Sequence, residues 1–282
     1  MERSETINVG LFAAFDTTSE ETARVAILEK ILAMEDTPPR IVQYRRGTGQ
    51  VRETAFGPKR WHTIAKSFRS GAARFLFQSL ADVEVSCILL WECSRWAPAI
   101  IQEYGPAGSI IALYPISRFD ATAESDFQAQ LRRRIQSLFT EAGVFYAFVN
   151  QGHSSFPPVG PLGIDAEYLQ TRESIPLTSF DMDLRIGSAF YRRFAKGAFW
   201  ANYLNPYHIE RLGGLDRIQR KNPCEVIEEL ENHNLLLQVG PSPLAPRSSQ
   251  TVERYQRLRR FFGPILLETI EDQGRILSQL RL

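Results

Sequence analysis

The residues that could carry chemistry are few and far apart. Asp181 and Asp183 are the nearest thing to paired carboxylates in the chain. On a strand, positions two apart share a face, so the two groups would stand about 6–7 Å from each other, within reach for acid–base work or a divalent cation. No third ligand lies nearby in sequence, which makes a solvated polar face the expected role. With His153, in a glycine- and proline-rich stretch, and Arg185, these aspartates form the one residue set on which a small-molecule enzyme could be built.

Other chemistries lack their signatures. The four histidines, His62, His153, His208 and His233, are isolated, and Cys87, Cys93 and Cys224 show no metal-ligand spacing. Cys93 follows a predicted strand, where a free thiol ordinarily serves as a small buried hydrophobe. No GxGxxG, GxxxxGK[ST] or G-x-S-x-G pattern occurs, and Gly47-Thr-Gly49 is expected as a hairpin turn rather than a phosphate loop. No catalytic residue, cofactor or metal is assigned on these grounds. Arginines cluster at Arg45-Arg46, Arg132–Arg134, Arg192-Arg193 and Arg257–Arg260, and with Tyr44 and Tyr191 they could line a nucleic-acid groove. The charge balance argues against it. Lys and Arg total 33 against 32 Asp and Glu, the net charge is +1, and acidic runs at Glu225–Glu231 and Glu268–Asp272 answer the basic ones. On amphipathic helices such runs are ordinarily solvent faces, so no nucleic-acid partner is expected.

The elements that must position these residues alternate between strands and helices. Strands are predicted over 6–15, 40–46, 50–56, 73–80, 83–91, 109–116, 144–149 and 235–239, from β-branched and aromatic runs bounded by turn residues. Helices are predicted over 20–35, where Thr18 and Glu21 have capping-box spacing, from Gly57-Pro58 through Phe68, and over 125–141. A short helix over 206–212 ends at Gly213-Gly214, and a C-terminal helix from 251 breaks near Gly263-Pro264. Short connections favour antiparallel neighbours. The pattern is α+β, with mostly antiparallel sheets and amphipathic helices packed on one face.

The chain has 282 residues, of which 44% are hydrophobic and 23% charged, enough for a real core and unlike a disordered chain. It reads as one globular unit over 1–282, or as two lobes, 1–151 and 164–282, joined by the proline- and glycine-rich loop 152–163. The N-terminus lacks the apolar core of a secretory signal. The densest apolar run, Cys87–Trp91, is far shorter than the ~20 residues that span a bilayer. With an odd number of irregularly spaced cysteines, these features predict a cytoplasmic protein without membrane association.

One segment stands out. Residues 197–214, GAFWANYLNPYHIERLGG, combine small residues, large aromatics, a proline-led helical turn and a double glycine. Structurally this reads as a packed junction in which Phe199, Trp200, Tyr203 and Leu204 bury aromatic and aliphatic area. The segment resembles the G-x-x-W-x-N-x-L … L-G-G signature of the type VI secretion immunity family, here Gly197, Trp200, Asn202, Leu204, Leu212, Gly213 and Gly214. The LLLQVG strand and the Tyr255–Ile265 helix downstream are similar too. The resemblance implies a bacterial protein that binds a cognate secreted toxin and neutralises it by occlusion, not by turnover. In that case the signature residues define the fold, and the loops 152–163 and 240–250, with His153, Phe156 and Arg247, are the expected partner-facing surfaces. A cytoplasmic site of action implies a cytoplasmic toxin target. Strong acidity would point to a nuclease by electrostatic complementarity, and the near-neutral charge balance does not.

Overall fold

The computed structural model describes residues 5–16, 41–45, 51–55, 57, 74–81, 84–92, 102–105, 107–115, 143–155, 188–241, 249–267 and 278, together with 129, 132, 133, 135–137, 139 and 140. Its centre is β1 (Glu5–Asp16), whose Leu11–Phe15 run is buried on both faces. A continuous apolar run is what a strand covered on both sides requires. β2 (Ile41–Arg45), β3 (Val51–Ala55), β4 (Arg74–Ala81), β5 (Glu84–Glu92) and β6 (Ala107–Pro115) follow, then β7 (Val144–Ser155), β8 (Ala201–Leu204), β9 (Val226–Glu229) and β10 (Leu235–Gln238). All ten join one sheet in the order β3, β2, β4, β5, β6, β1, β7, β8, β10, β9, and every neighbouring pair is antiparallel. The mixed α+β class expected from the sequence is the one observed.

Helical elements cover this sheet around β7, β8 and β10. On one side lie a 3-10 helix over Ser188–Arg192, α1 (Pro206–Arg211), α2 (Leu215–Lys221) and α3 (Ser249–Phe261), which share a core with Phe12, Tyr146, Phe148, Leu204, Leu235 and Leu237. Tyr203 has the opposite strand parity to Leu204, and it stacks on Phe139 of the helical stretch around 129–140 at 5.7 Å. Cover expected on one face is therefore present on both in this part of the sheet. A β-bulge at Ala14/Phe15 lets Phe145 stand without a partner on β1. Its ring joins the same core as Tyr146.

Three expectations change. Gly152–Ser155, read as the start of the loop 152–163, instead continue β7 and pair with Glu5–Asn8. The reason is main-chain: β1 offers a template twelve residues long, and polar residues pair on it as well as apolar ones. His153 thus occupies a strand position opposite Ile7. The acidic run at Glu225–Glu231, given no strand by the sequence, contains β9, since Val226 and Ile227 pair with Gln238 and Leu237. β8 arises inside the segment read only as a packed junction. The helices predicted over 20–35 and after Gly57, the turn at Gly47–Gly49, most of the 240–250 loop, Phe156, Asp181, Asp183, Arg185 and Arg247 lie outside the described residues.

Candidate functional site

The distinctive segment is a set of backbone ties made by side chains. Asn202, fully buried on β8, reaches back three residues: its Oδ1 accepts from the Phe199 N–H at 3.1 Å and its Nδ2 donates to the Phe199 carbonyl at 2.8 Å. Those are the two groups a chain entering a sheet at an angle would otherwise leave unpaired. Trp200 fastens the same turn to the end of β10. Its Nε1 donates to the Gly240 carbonyl at 2.9 Å, and its own carbonyl accepts from the Val239 N–H at 2.8 Å. Gln238 Nε2 donates to the same Gly240 carbonyl at 2.6 Å, while its Oε1 accepts from Arg132.

Aromatic packing explains the first glycine. Phe199 stacks on Phe148 with ring centroids 3.8 Å apart, and Phe148 stacks on Phe12 at 5.1 Å. A Cβ on Gly197 would stand 2.9 Å from the Phe199 ring, so only glycine leaves room for this stack. The double glycine does different work. Gly214 N–H bonds the Ile209 carbonyl and Gly213 N–H the Glu210 carbonyl, both at 2.9 Å, which is the paired closure that ends a helix with a left-handed residue. Gly213 has φ +96°, and Gly214 goes on to cap α2 through the Ile218 N–H. Leu204 and Leu212 are buried in the core beneath.

Two buried basic residues, His208 in this segment and Lys196 just before it, carry no sequence signal of their burial. His208 completes a capping box with Asn205: the His208 N–H donates to Asn205 Oδ1 at 3.1 Å, and the Asn205 N–H donates to His208 Nδ1 at 3.3 Å. Asn205 Nδ2 also donates to the carbonyls of Phe145 and Arg192, joining β7, the 3-10 helix and α1 at one point. Burial pushes the His208 imidazole down to about 3, against a weaker opposite pull from the Phe194 and Tyr191 carbonyls. Its Nε2 has no hydrogen bond of good geometry. Lys196 is buried with its amine 5.8 Å from the Phe12 ring centroid, and burial holds it well below the usual lysine range. The spacing Asn-Pro-x-His was visible as a helix start, but only the fold buries the imidazole.

Three of the described arginines are held in ion pairs within the molecule. Arg192 lies 3.1 Å from Asp16 and 4.3 Å over the Phe145 ring; Arg193 lies 2.8 Å from Glu103 and 4.9 Å over the Tyr104 ring. Arg254 pairs with Glu225. Cys224 is largely buried and its thiol is pushed up to about 12, which removes it as a nucleophile. Among the described residues, no three His, Cys, Asp or Glu side chains are grouped to hold a metal ion. No described helix is long and apolar enough to cross a membrane.

Chemically, this arrangement holds a shape: the polar atoms of Asn202, Trp200 and Asn205 are turned toward the protein's own backbone. Tyr207 on α1 is the exposed large hydrophobic residue among the described residues, and exposed charges lie on α1 to α3 and at Glu228, Glu229 and Glu231. The family described as TsiV, type VI immunity for VRR-NUC, matches residues 127–281, more than half of the chain. That range includes β7 to β10, α1 to α3 and the whole 197–214 segment. Among solved structures, the Pseudomonas aeruginosa T6SS protein PA0821 superimposes with a TM-score of 0.59 at 11% identity, covering 94% of this chain and 75% of that one. At that identity the likeness is one of fold. No curated protein matches the sequence.

Proposed function

From the premise that the chain belongs to the TsiV family of type VI immunity proteins, we propose that it neutralises a VRR-NUC nuclease toxin by binding it stoichiometrically and covering its active site. The observation that carries this reading is the family match over 127–281, which takes in the whole 197–214 segment. A binding protein needs a rigid surface and no reacting groups of its own. The 197–214 segment supplies rigidity: Asn202, Trp200, Asn205 and Gly213 lock the entry to β8 and both ends of α1. Preorganisation of this kind lowers the ordering cost of association. The signature residues thus act on the toxin only through the scaffold, and the contacts come from exposed residues around it.

The toxin acts where nucleic acid is, so the site of inhibition is the cytoplasm. Neutralisation is by occupancy, not turnover. Plasmid cleavage by the purified VRR-NUC toxin, titrated with this protein, tests the reading. Inhibition should be complete near one equivalent and should persist on prolonged incubation. Cleavage that continues unchanged at a tenfold excess would overturn it.

A further inference from the structure

The whole-chain charge of +1 conceals a local imbalance. The described arginines Arg192, Arg193 and Arg254 are paired with Asp16, Glu103 and Glu225, and Arg132 is tied to Gln238. On the β9–β10 hairpin, by contrast, Glu228, Glu229 and Glu231 are exposed, and among the described residues none of them meets a lysine or arginine. Glu229 faces only the imidazole of His233, at 3.6 Å, and Glu231 accepts from the Thr140 hydroxyl at 2.9 Å. Three exposed carboxylates thus stand within four residues of one another on this hairpin, whereas Glu210, Asp216 and Glu253 are spread singly over three helices.

That hairpin is also the end of the sheet. β9 pairs with β10 alone among the described strands, so its outer N–H and C=O groups form an open edge. Its tip is tightly built. Asn234 N–H bonds the Glu231 carbonyl at 3.3 Å, Leu230 N–H bonds the Asn234 carbonyl at 2.8 Å, and both central residues, Asn232 (φ 58°) and His233 (φ 57°), are left-handed. Two successive non-glycine residues in that region give the twist that matches a hairpin, at a steric cost an exposed loop does not otherwise need to bear. Leu230, buried at its base, anchors the projection to the core. The outcome is a stiff acidic finger at an open edge.

We propose that the β9–β10 hairpin is the element that enters the nuclease toxin's nucleic-acid cleft, with Glu228, Glu229 and Glu231 standing where backbone phosphates would lie. The proposal rests on the immunity reading above and deepens it by naming the surface. A cleft that binds a polyanion must present lysine and arginine side chains, and it is complementary to an exposed, unpaired acidic strand edge. Salt-dependent association follows from the same chemistry.

The test uses the full chain and a catalytically inactive form of the VRR-NUC toxin, with affinity measured by titration calorimetry between low and high salt. One variant carries Glu228→Gln, Glu229→Gln and Glu231→Gln. A matched variant removes the same charge elsewhere, through Glu210→Gln, Asp216→Asn and Glu253→Gln, all on exposed helix positions. The hairpin variant should bind about 10- to 100-fold more weakly at low salt and show a flatter salt dependence, and duplex DNA should displace it more readily than wild type. The matched variant should stay within about threefold of wild type. Thermal unfolding of both variants at the wild-type temperature confirms that the fold is intact. Equal, small losses in the two variants would overturn the hairpin proposal and leave the immunity reading standing. Failure of the wild-type protein itself to bind the toxin would overturn that reading, and the hairpin proposal with it.

Discussion

The 197–214 segment and the β9–β10 hairpin are neighbours in the same sheet, β8 pairing directly with β10, and use exposed and buried polar residues in opposite ways. In the first, Asn202 and Asn205 are buried and bond to main chain, and the histidine beside them is held neutral. In the second, Glu228, Glu229 and Glu231 stand in solvent and bond to almost nothing. The difference separates shape from contact. A buried polar group is tolerated only when its partners are fixed, so it specifies structure; an exposed charge costs the fold little and is free to meet another molecule.

This contrast can be broken most sharply in the aromatic stack. Phe199→Ala removes a ring packed 3.8 Å from Phe148 and opens a cavity between Gly197 and β7, so chemical denaturation should register a loss of about 3–5 kcal/mol. Asn202→Ala should cost about 2–4 kcal/mol, because it leaves both the N–H and the carbonyl of Phe199 buried and unpaired. A variant as stable as wild type would mean that the tie is not what holds the entry to β8. Acid should act on the same region. The folded protein keeps His208 neutral down to about pH 3, whereas the unfolded chain takes up the proton near 6.5. Its contribution is therefore fully present above about pH 7 and falls away as pH drops from 6.5 toward 3, with about 2 kcal/mol gone by pH 5. Urea melts at pH 8 and pH 5 should show this loss, and His208→Gln should flatten it.

Smaller effects sharpen the comparison. Gly213→Ala places a side chain at φ +96° and against Arg217, and should cost about 1–2 kcal/mol in the unfolding midpoint. Glu103→Gln breaks an ion pair whose two side chains are both about two-fifths exposed, so stability should change by less than ~1 kcal/mol and the change should vanish in high salt. The hairpin substitutions belong at this end of the scale for stability even though they are expected to dominate binding.

Much of this protein is legible along the chain. The strands with strong apolar runs, at 6–15, 73–80, 83–91 and 109–116, appear within two residues of where the pattern places them, because runs of β-branched and aromatic residues bounded by turn residues favour extended, paired backbone. The start of α1 at Asn205-Pro206 and its end at Gly213-Gly214 are local events, governed by a cap, a fixed φ and a left-handed residue, and local events leave local signals. What only the tertiary structure decides is everything that depends on a partner distant in sequence. β7 runs on to Ser155 because β1 is there to pair with it, and β9 is a strand because β10 lies beside Val226 and Ile227. His208 loses its ordinary basicity because α1 is pressed against β7 and the 3-10 helix. Arg192 and Arg193 look like a basic patch in sequence, and become structural because Asp16 and Glu103 arrive from other parts of the chain. Residue types and spacing set the elements and their ends; whether a charge is paired or left free is a property of distance in space, which the linear order does not contain.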